Sequence, residues 1–423
     1  MSPSPCSLAR CPGTGLAVGA VAPERCTPGS RSLVGVVESV GERRSDNTPG
    51  RRESVCVHVT WASPSARVVL GSGTPSPDVP GVRVGHRTLI EGEGRLRPGR
   101  GPVRTGVSVV VPAEGSLGRR PVFAGCHRLN GNGELTGLEW VRESGTLTSP
   151  VALTNTHSVG VVRDALVAAE VAQRDPDELY WCLPVVGETW DGLLNDVNGF
   201  HVRAEHLHDA LRAAASGPVA EGNVGSGTGM ICHGFAGGVG TASRIAGAGW
   251  TVGALVQANH GRRSRLRVAG VPVGEAIPAT EVPLPTPPHG PVPAQGSGSI
   301  IVVLATDAPV LPHQCDRLAQ HAVLGIARCG GNGEHTSGDL IIAFSTGNRL
   351  AGDGLSEAGP PERWVRMLPD PALGSLFDAV VEAVEEAILN ALFAARTMTG
   401  PDGITAHALP HDRLIEVMKT AGW

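Results

Sequence analysis

Aromatic residues are scarce in this chain of 423 residues: Phe, Tyr and Trp together make up 3%, with one tyrosine, Tyr180. Since 41% of the chain is nevertheless hydrophobic, the core must be built from Val, Leu, Ile and Ala. Long apolar runs are lacking too. Gly, Pro or a charge interrupts every stretch short of the roughly 18–20 residues that a membrane-spanning helix needs, so the chain reads as soluble, without a membrane partner. Residues 15–22 form an apolar patch, but it is short for a signal segment and only Arg10 precedes it closely; a cytoplasmic protein is the expectation. Basic residues make no long run, only short pairs such as Arg43-Arg44 and Arg51-Arg52, and the formal net charge is -5, which makes nucleic acid a poor partner.

Cysteine lacks a pattern. Nine scattered residues do not suggest a disulfide framework, and Cys126, Cys182, Cys232, Cys315 and Cys329 read as small buried hydrophobes. His127, His157, His260 and His313 show no metal-ligand spacing with Cys or carboxylates, so neither metal nor cofactor is expected. Gly225-Ser-Gly-Thr-Gly229 lacks both the Gly-Lys-Ser/Thr ending of a P-loop and the spacing of a Rossmann turn.

Glycine is in excess, at 58 residues, about twice the usual share, which points to tight turns and close backbone approaches. Residues 1–76 are rich in Ser, Pro, Gly and Arg and are expected to be a largely disordered leader, apart from a short strand at 54–61. From residue 77 the character changes to β-branched runs such as 107–111 and 151–153. Helices are expected at 161–173, 206–215 and 313–326, with a long one at 372–397 whose Glu382, Glu385 and Glu386 lie on its wet side. Strands are expected at 249–256, 300–305 and 339–344. Between them, residues 278–298 carry seven prolines, which deny helix and central strand and favour an extended linker.

That linker ends at Gly298, directly ahead of Ser299 and the apolar run Ile300-Ile-Val-Val-Leu-Ala305. A serine at the head of a buried strand, behind a glycine and an accessible linker, has the arrangement that N-terminal nucleophile chemistry requires. Its hydroxyl attacks the preceding carbonyl, and the freed α-amine, with a reference pKa of about 7.7–8.0, serves as the base. From spacing alone, however, the plainer account is the stronger: a flexible Gly–Ser linker leading into an ordinary strand.

The stretch Gly298-Ser-Ile-Ile-Val-Val-Leu-Ala-Thr-Asp-Ala-Pro309 closely resembles the processing site of the DmpA-type L-aminopeptidase/D-esterases and β-peptidyl aminopeptidases. So do Asn130-Gly-Asn-Gly-Glu134, Thr154-Asn-Thr-His-Ser-Val-Gly160, Glu221-Gly-Asn-Val-Gly-Ser-Gly-Thr-Gly-Met230, Gln257-Ala-Asn-His-Gly261, Ser337-Gly-Asp339 and Phe344-Ser-Thr-Gly-Asn348. The resemblance implies a four-layer αββα sandwich of the N-terminal-nucleophile-hydrolase type over residues 77–423, self-processed into an α chain ending at Gly298 and a β chain starting at Ser299. It implies an aminopeptidase acting on small peptides, amides or esters, without cofactor, as a homo-oligomer of αβ units. By the same resemblance Ser299 is the nucleophile, Asn259 the oxyanion donor, and Ser337 with Asp339 the partners of the amine, where many members carry Glu in place of Asp. The family's Tyr is replaced here by Trp190, a substrate-pocket residue on this reading. The rivals are an acyl transferase like the ornithine acetyltransferases and an unprocessed, non-catalytic homologue.

Overall fold

A computed structural model describes residues 79–288, 296, 298–350 and 362–423; the expected leader, its strand at 54–61 and part of the Pro-rich linker lie outside them. In chain order the strands are β1 (Arg83–Glu91), β2 (Val103–Val111), β3 (Val122–Gly131), β4 (Thr146–Leu147), β5 (Val151–Asn155), β6 (Val185–Thr189), β7 (Ile231–Cys232), β8 (Phe235–Ala236), β9 (Gly238–Ala246), β10 (Trp250–Asn259), β11 (Ser299–Thr306), β12 (Gly338–Arg349), β13 (Met398–Thr399) and β14 (Thr405–Ala406). The helices are α1 (Leu138–Ser144), α2 (Val159–Val171), α3 (Ala204–Ala213), α4 (Val273–Ala276), α5 (Pro312–Arg328), α6 (Leu373–Ala394) and α7 (His411–Thr420).

Two sheets dominate: one of four strands in the order β1-β2-β5-β6, and one of six in the order β4-β3-β12-β11-β10-β9. Each is antiparallel except for one pair, β5 with β6 in the first and β11 with β12 in the second. Strand periodicity assigns the layers, because successive side chains point to opposite faces. Along β11, Ile301, Val303 and Ala305 pack between the sheets with Val110 and Leu153 of the four-stranded sheet. Ile300, Val302 and Leu304 pack on the other face with Leu318 of α5 and Val384 of α6. The outer face of the smaller sheet is covered by α2 and α3 through Val162, Leu166 and Leu207. The order is therefore helix, sheet, sheet, helix, the expected αββα sandwich.

The expected elements are found, with shifted ends. The strand at 249–256 runs on through Asn259, because β10 pairs with β9 on one side and β11 on the other along almost its whole length. Gln257 and Asn259 thus belong to a central strand rather than to the loop after it. The described part of the Pro-rich linker, 278–288, carries no helix or strand. One expectation is overturned: Glu382, Glu385 and Glu386 do not form a wet face. Arg244 of β9 is buried and requires neutralisation, which it takes from Glu382 at 3.2 Å and from Glu386. Glu385 is itself buried and pairs with Arg328 at 3.2 Å. Among the described residues no helix is long and apolar enough to cross a membrane.

Candidate active site

Ser299 opens β11 in phase with Ile301 and Val303, so its side chain lies on the inter-sheet face, at the end of the crevice between the sheets. It is 5% exposed, and its Oγ accepts the Gly338 N–H at 3.0 Å. The parallel register, Ile300 against Asp339, brings that donor to it. The antiparallel register on the other side sets Asn259 directly opposite Ser299.

Asn259 is buried and its amide is held at both ends. Oδ1 accepts the Ile231 N–H at 2.7 Å, and Nδ2 donates to the Trp190 carbonyl at 2.9 Å. That accounts for one of the two Nδ2 hydrogens; the second has no hydrogen-bond partner among the described residues. A Cβ on Gly298 would lie 1.9 Å from the Asn259 carbonyl oxygen and 3.2 Å from Asn259 Nδ2. Glycine is therefore the residue that fits here, and the free amide hydrogen belongs to a group packed against the residue preceding Ser299.

Ser337 and Asp339 flank Gly338 and are both buried. Ser337 Oγ donates to Asp339 Oδ1 at 2.6 Å, and the carboxylate also accepts the Ile300 N–H. Burial raises the Asp339 pKa above the usual aspartate range, while the Ser337 hydroxyl, the Ile300 N–H and Asn130 pull it the other way. The structure thus brings Ser299, Asn259, Ser337 and Asp339 together across three adjacent strands. Trp190, just past β6, meets the site through its backbone carbonyl, the acceptor of Asn259 Nδ2. The residue is 37% exposed and its ring lies over Gly192, where a Cβ would come to 2.5 Å from the ring.

Two features escape sequence reasoning. Glu188, buried at the end of β6, accepts the Glu134 N–H at 2.9 Å and the Thr156 hydroxyl, and burial raises its pKa. A Cβ on Gly133 would be 3.2 Å from both Glu188 Oε1 and Gly338 Cα, which places this carboxylate beside the strand end that holds Ser299. Its position in Glu188-Thr-Trp-Asp-Gly192 is the signal available in the sequence. Asp191 anchors the same turn: buried and pushed up to about 6, it accepts hydrogen bonds from Asn155 and Asn195.

The second feature is one that spacing along the chain does not show: the fold gathers Cys232, His233 and His260 with donor atoms within 4.8 Å of one another. These three could hold a metal: burial keeps both imidazoles in the neutral form that ligates, while it opposes the thiolate. Burial pushes the Cys232 thiol up to about 12 and His233 down to about 4, and the His233 carbonyl takes the cationic Arg263 at 3.0 Å. The Gly-rich 221–230 loop, by contrast, has most of its amides committed. Gly225 donates to Thr88 Oγ1 at 2.8 Å, Ser226 to Ser108 Oγ at 3.0 Å and Gly227 to the Val224 carbonyl at 2.9 Å.

Two facing sheets between helix layers, with a buried serine heading a central strand, define a hydrolase fold of the N-terminal-nucleophile type. The L-aminopeptidase D-Ala-esterase/amidase of Ochrobactrum anthropi, a serine aminopeptidase with a variant of the Ntn hydrolase fold, matches with a TM-score of 0.74 at 43% identity, covering 84% of this chain and 97% of that one. A β-aminopeptidase of Burkholderia sp. matches with a TM-score of 0.74 at 52% identity, over 85% of this chain and 98% of that one. Residues 77–406 match the model of peptidase family S58, and the chain belongs to that family. The β-peptidyl aminopeptidase BapA of Sphingosinicella microcystinivorans is 49% identical over 359 residues, 82% of this chain and 88% of the relative.

Proposed function

We propose that this aminopeptidase uses Ser299 as its nucleophile, after self-cleavage of the Gly298–Ser299 bond, to remove the N-terminal residue of small peptides, amides or esters. The observation that carries the reading is the convergence on Ser299 of a donor to its hydroxyl, an amide opposite it and a preceding glycine with no room for a side chain. In self-cleavage, Ser299 Oγ bonds to the Gly298 carbonyl carbon and the C–N bond breaks, with the hydroxyl proton passing to the nitrogen. Water then hydrolyses the ester, leaving a Gly298 carboxylate and a Ser299 with a free amine. In turnover the same hydroxyl attacks the substrate carbonyl and the amine takes its proton.

Asn259 is suited to the oxyanion, since a neutral amide fixed at both ends stabilises developing charge without reorganising. Ser337 and Asp339 are suited to hold the Ser299 ammonium through a charge-assisted bond. An aminopeptidase must also receive the ammonium of its substrate, and Glu188 is the buried carboxylate beside the site that we assign to it. The names of the relatives, β-peptidyl aminopeptidase and β-aminopeptidase, point to N-terminal β-amino acyl groups as substrates to try first. The family match and these relatives do not favour the acyl-transferase alternative.

The test is hydrolysis of a β-aminoacyl amide beside its N-acetylated form. The account expects release only from the free amine, abolished by Ser299→Ala; equal release from the acetylated compound would overturn the aminopeptidase reading.

A further inference from the structure

Gly296, three residues ahead of Ser299, adopts a backbone φ of +84°, in the left-handed region that side chains resist. A Cβ there would also lie 2.7 Å from Glu334 Cγ and 3.1 Å from Arg262 Cγ. Both conformation and space thus call for glycine. The residues it rests against form an ion cluster: Glu334 accepts Arg262 at 2.8 Å and Arg265 at 2.7 Å, with the Glu334 side chain 14% exposed. The Glu334 carbonyl in turn takes the Asn130 amide at 2.8 Å and the Ser337 N–H at 2.8 Å. The cluster therefore ties the segment leaving Asn259 to the segment entering Ser337, and Gly296 is seated on that tie. Three residues of extended chain reach at most about 10 Å, so fixing Gly296 leaves little slack at the bond ahead of Ser299.

We infer that Arg262 and Glu334, the latter braced by Arg265, clamp Gly296 and thereby hold the Gly298–Ser299 bond in place for self-cleavage. This rests on the self-cleavage reading above. These are positioning residues: Arg262 and Glu334 lie against Gly296, ahead of the reacting bond, and Arg265 acts through Glu334. Once the bond is cut, the clamp has no further part in turnover.

The experiment follows conversion of newly synthesised chain by intact mass in a cell-free system, for the wild type, Gly296→Ala and Glu334→Gln. Cleavage is expected to slow at least about tenfold in both variants, equivalent to about 1.4 kcal/mol in the barrier. The fully processed fraction should keep its kcat on an aminoacyl amide within about twofold. Folding is checked separately by placing each substitution in the Ser299→Ala background, where a single cooperative melting transition well above the assay temperature shows that the domain still folds. Cleavage within about threefold of wild type in both variants would overturn the inference, as would a kcat of processed enzyme that falls in step with the cleavage rate. A wild-type chain that never cleaves would overturn the self-cleavage reading, and this inference with it.

Discussion

At the scale of single residues, the site places opposite demands on two polar side chains. On the proposed mechanism Asn259 is a neutral donor, and Asp339 is to present charge although burial opposes it. Asn259→Ala is expected to lower kcat about 100- to 1000-fold, or roughly 2.7–4 kcal/mol, with little change in KM, because the lost bond strengthens as charge develops on the oxygen. The measurement is steady-state kinetics on enzyme shown by mass to be fully processed, and a kcat within threefold of wild type would make Asn259 a purely structural strand residue. For Asp339 the folded carboxyl titrates above the usual aspartate range, and the charged form is the one that holds an ammonium. Activity should therefore fall on acidification through that raised pKa. Asp339→Asn should lower the plateau and remove this limb from the profile of kcat/KM against pH, and an unchanged limb would assign it to another group.

At the scale of elements, β11 and β12 do most of the positioning, because one parallel register sets both the donor to Ser299 and the pairing of Ile300 with Asp339. β11 is legible in the sequence: six apolar residues in a row, bounded by a Pro-rich linker, read as a strand buried on both faces. The meeting of Asn259, Ser337 and Asp339 with Ser299 is legible only through the family resemblance, since no local pattern brings to Ser299 residues about 40 positions away; that is settled by strand order. Glu188 and the Trp190 carbonyl go unread because a pattern of side chains says nothing of which backbone groups meet. The acidic face of α6 is misread for a related reason: a helical repeat marks Glu382, Glu385 and Glu386 as polar but cannot show that Arg244 and Arg328 face them. The same helix packs unusually close to β9, where a Cβ on Gly240 would lie 1.9 Å from the Ala387 carbonyl oxygen. Gly240→Ala is expected to cost about 1–3 kcal/mol by overpacking, read from urea unfolding in the Ser299→Ala background; no loss of stability would show that β9 and α6 can separate freely.

At the scale of the whole molecule, pH acts on the fold through buried groups of opposite sense. Glu221 is pushed up to about 7 by burial, with Glu386 adding to the effect and the Thr241 hydroxyl and N–H opposing it. An acid whose folded pKa lies above its unfolded value favours folding while protonated, so this contribution is lost as pH rises between about 4.5 and 7. His86 and His233, both pushed down to about 4, work the other way, since their neutral folded forms lose stability as pH falls from 6.5. The two trends overlap, and the Glu221 part is isolated as the difference in Tm between wild type and Glu221→Gln, which should shift in favour of the variant from pH 5 to pH 8. A constant difference across that range would contradict the assignment.

The family match begins at residue 77, and we propose that the residues before it lie outside the catalytic domain. Deleting 2–76 should accordingly leave activity within about twofold, whereas loss of soluble protein would show that they pack against it. The central claim, that Ser299 cuts its own chain and then serves as the nucleophile, is tested most directly by the intact mass of purified wild type and Ser299→Ala. The account expects two chains from the wild type, the second beginning Ser-Ile-Ile, and one uncut, inactive chain from Ser299→Ala. A wild type that hydrolyses aminoacyl amides as one intact chain, or Ser299→Ala protein cut at the same bond, would contradict it.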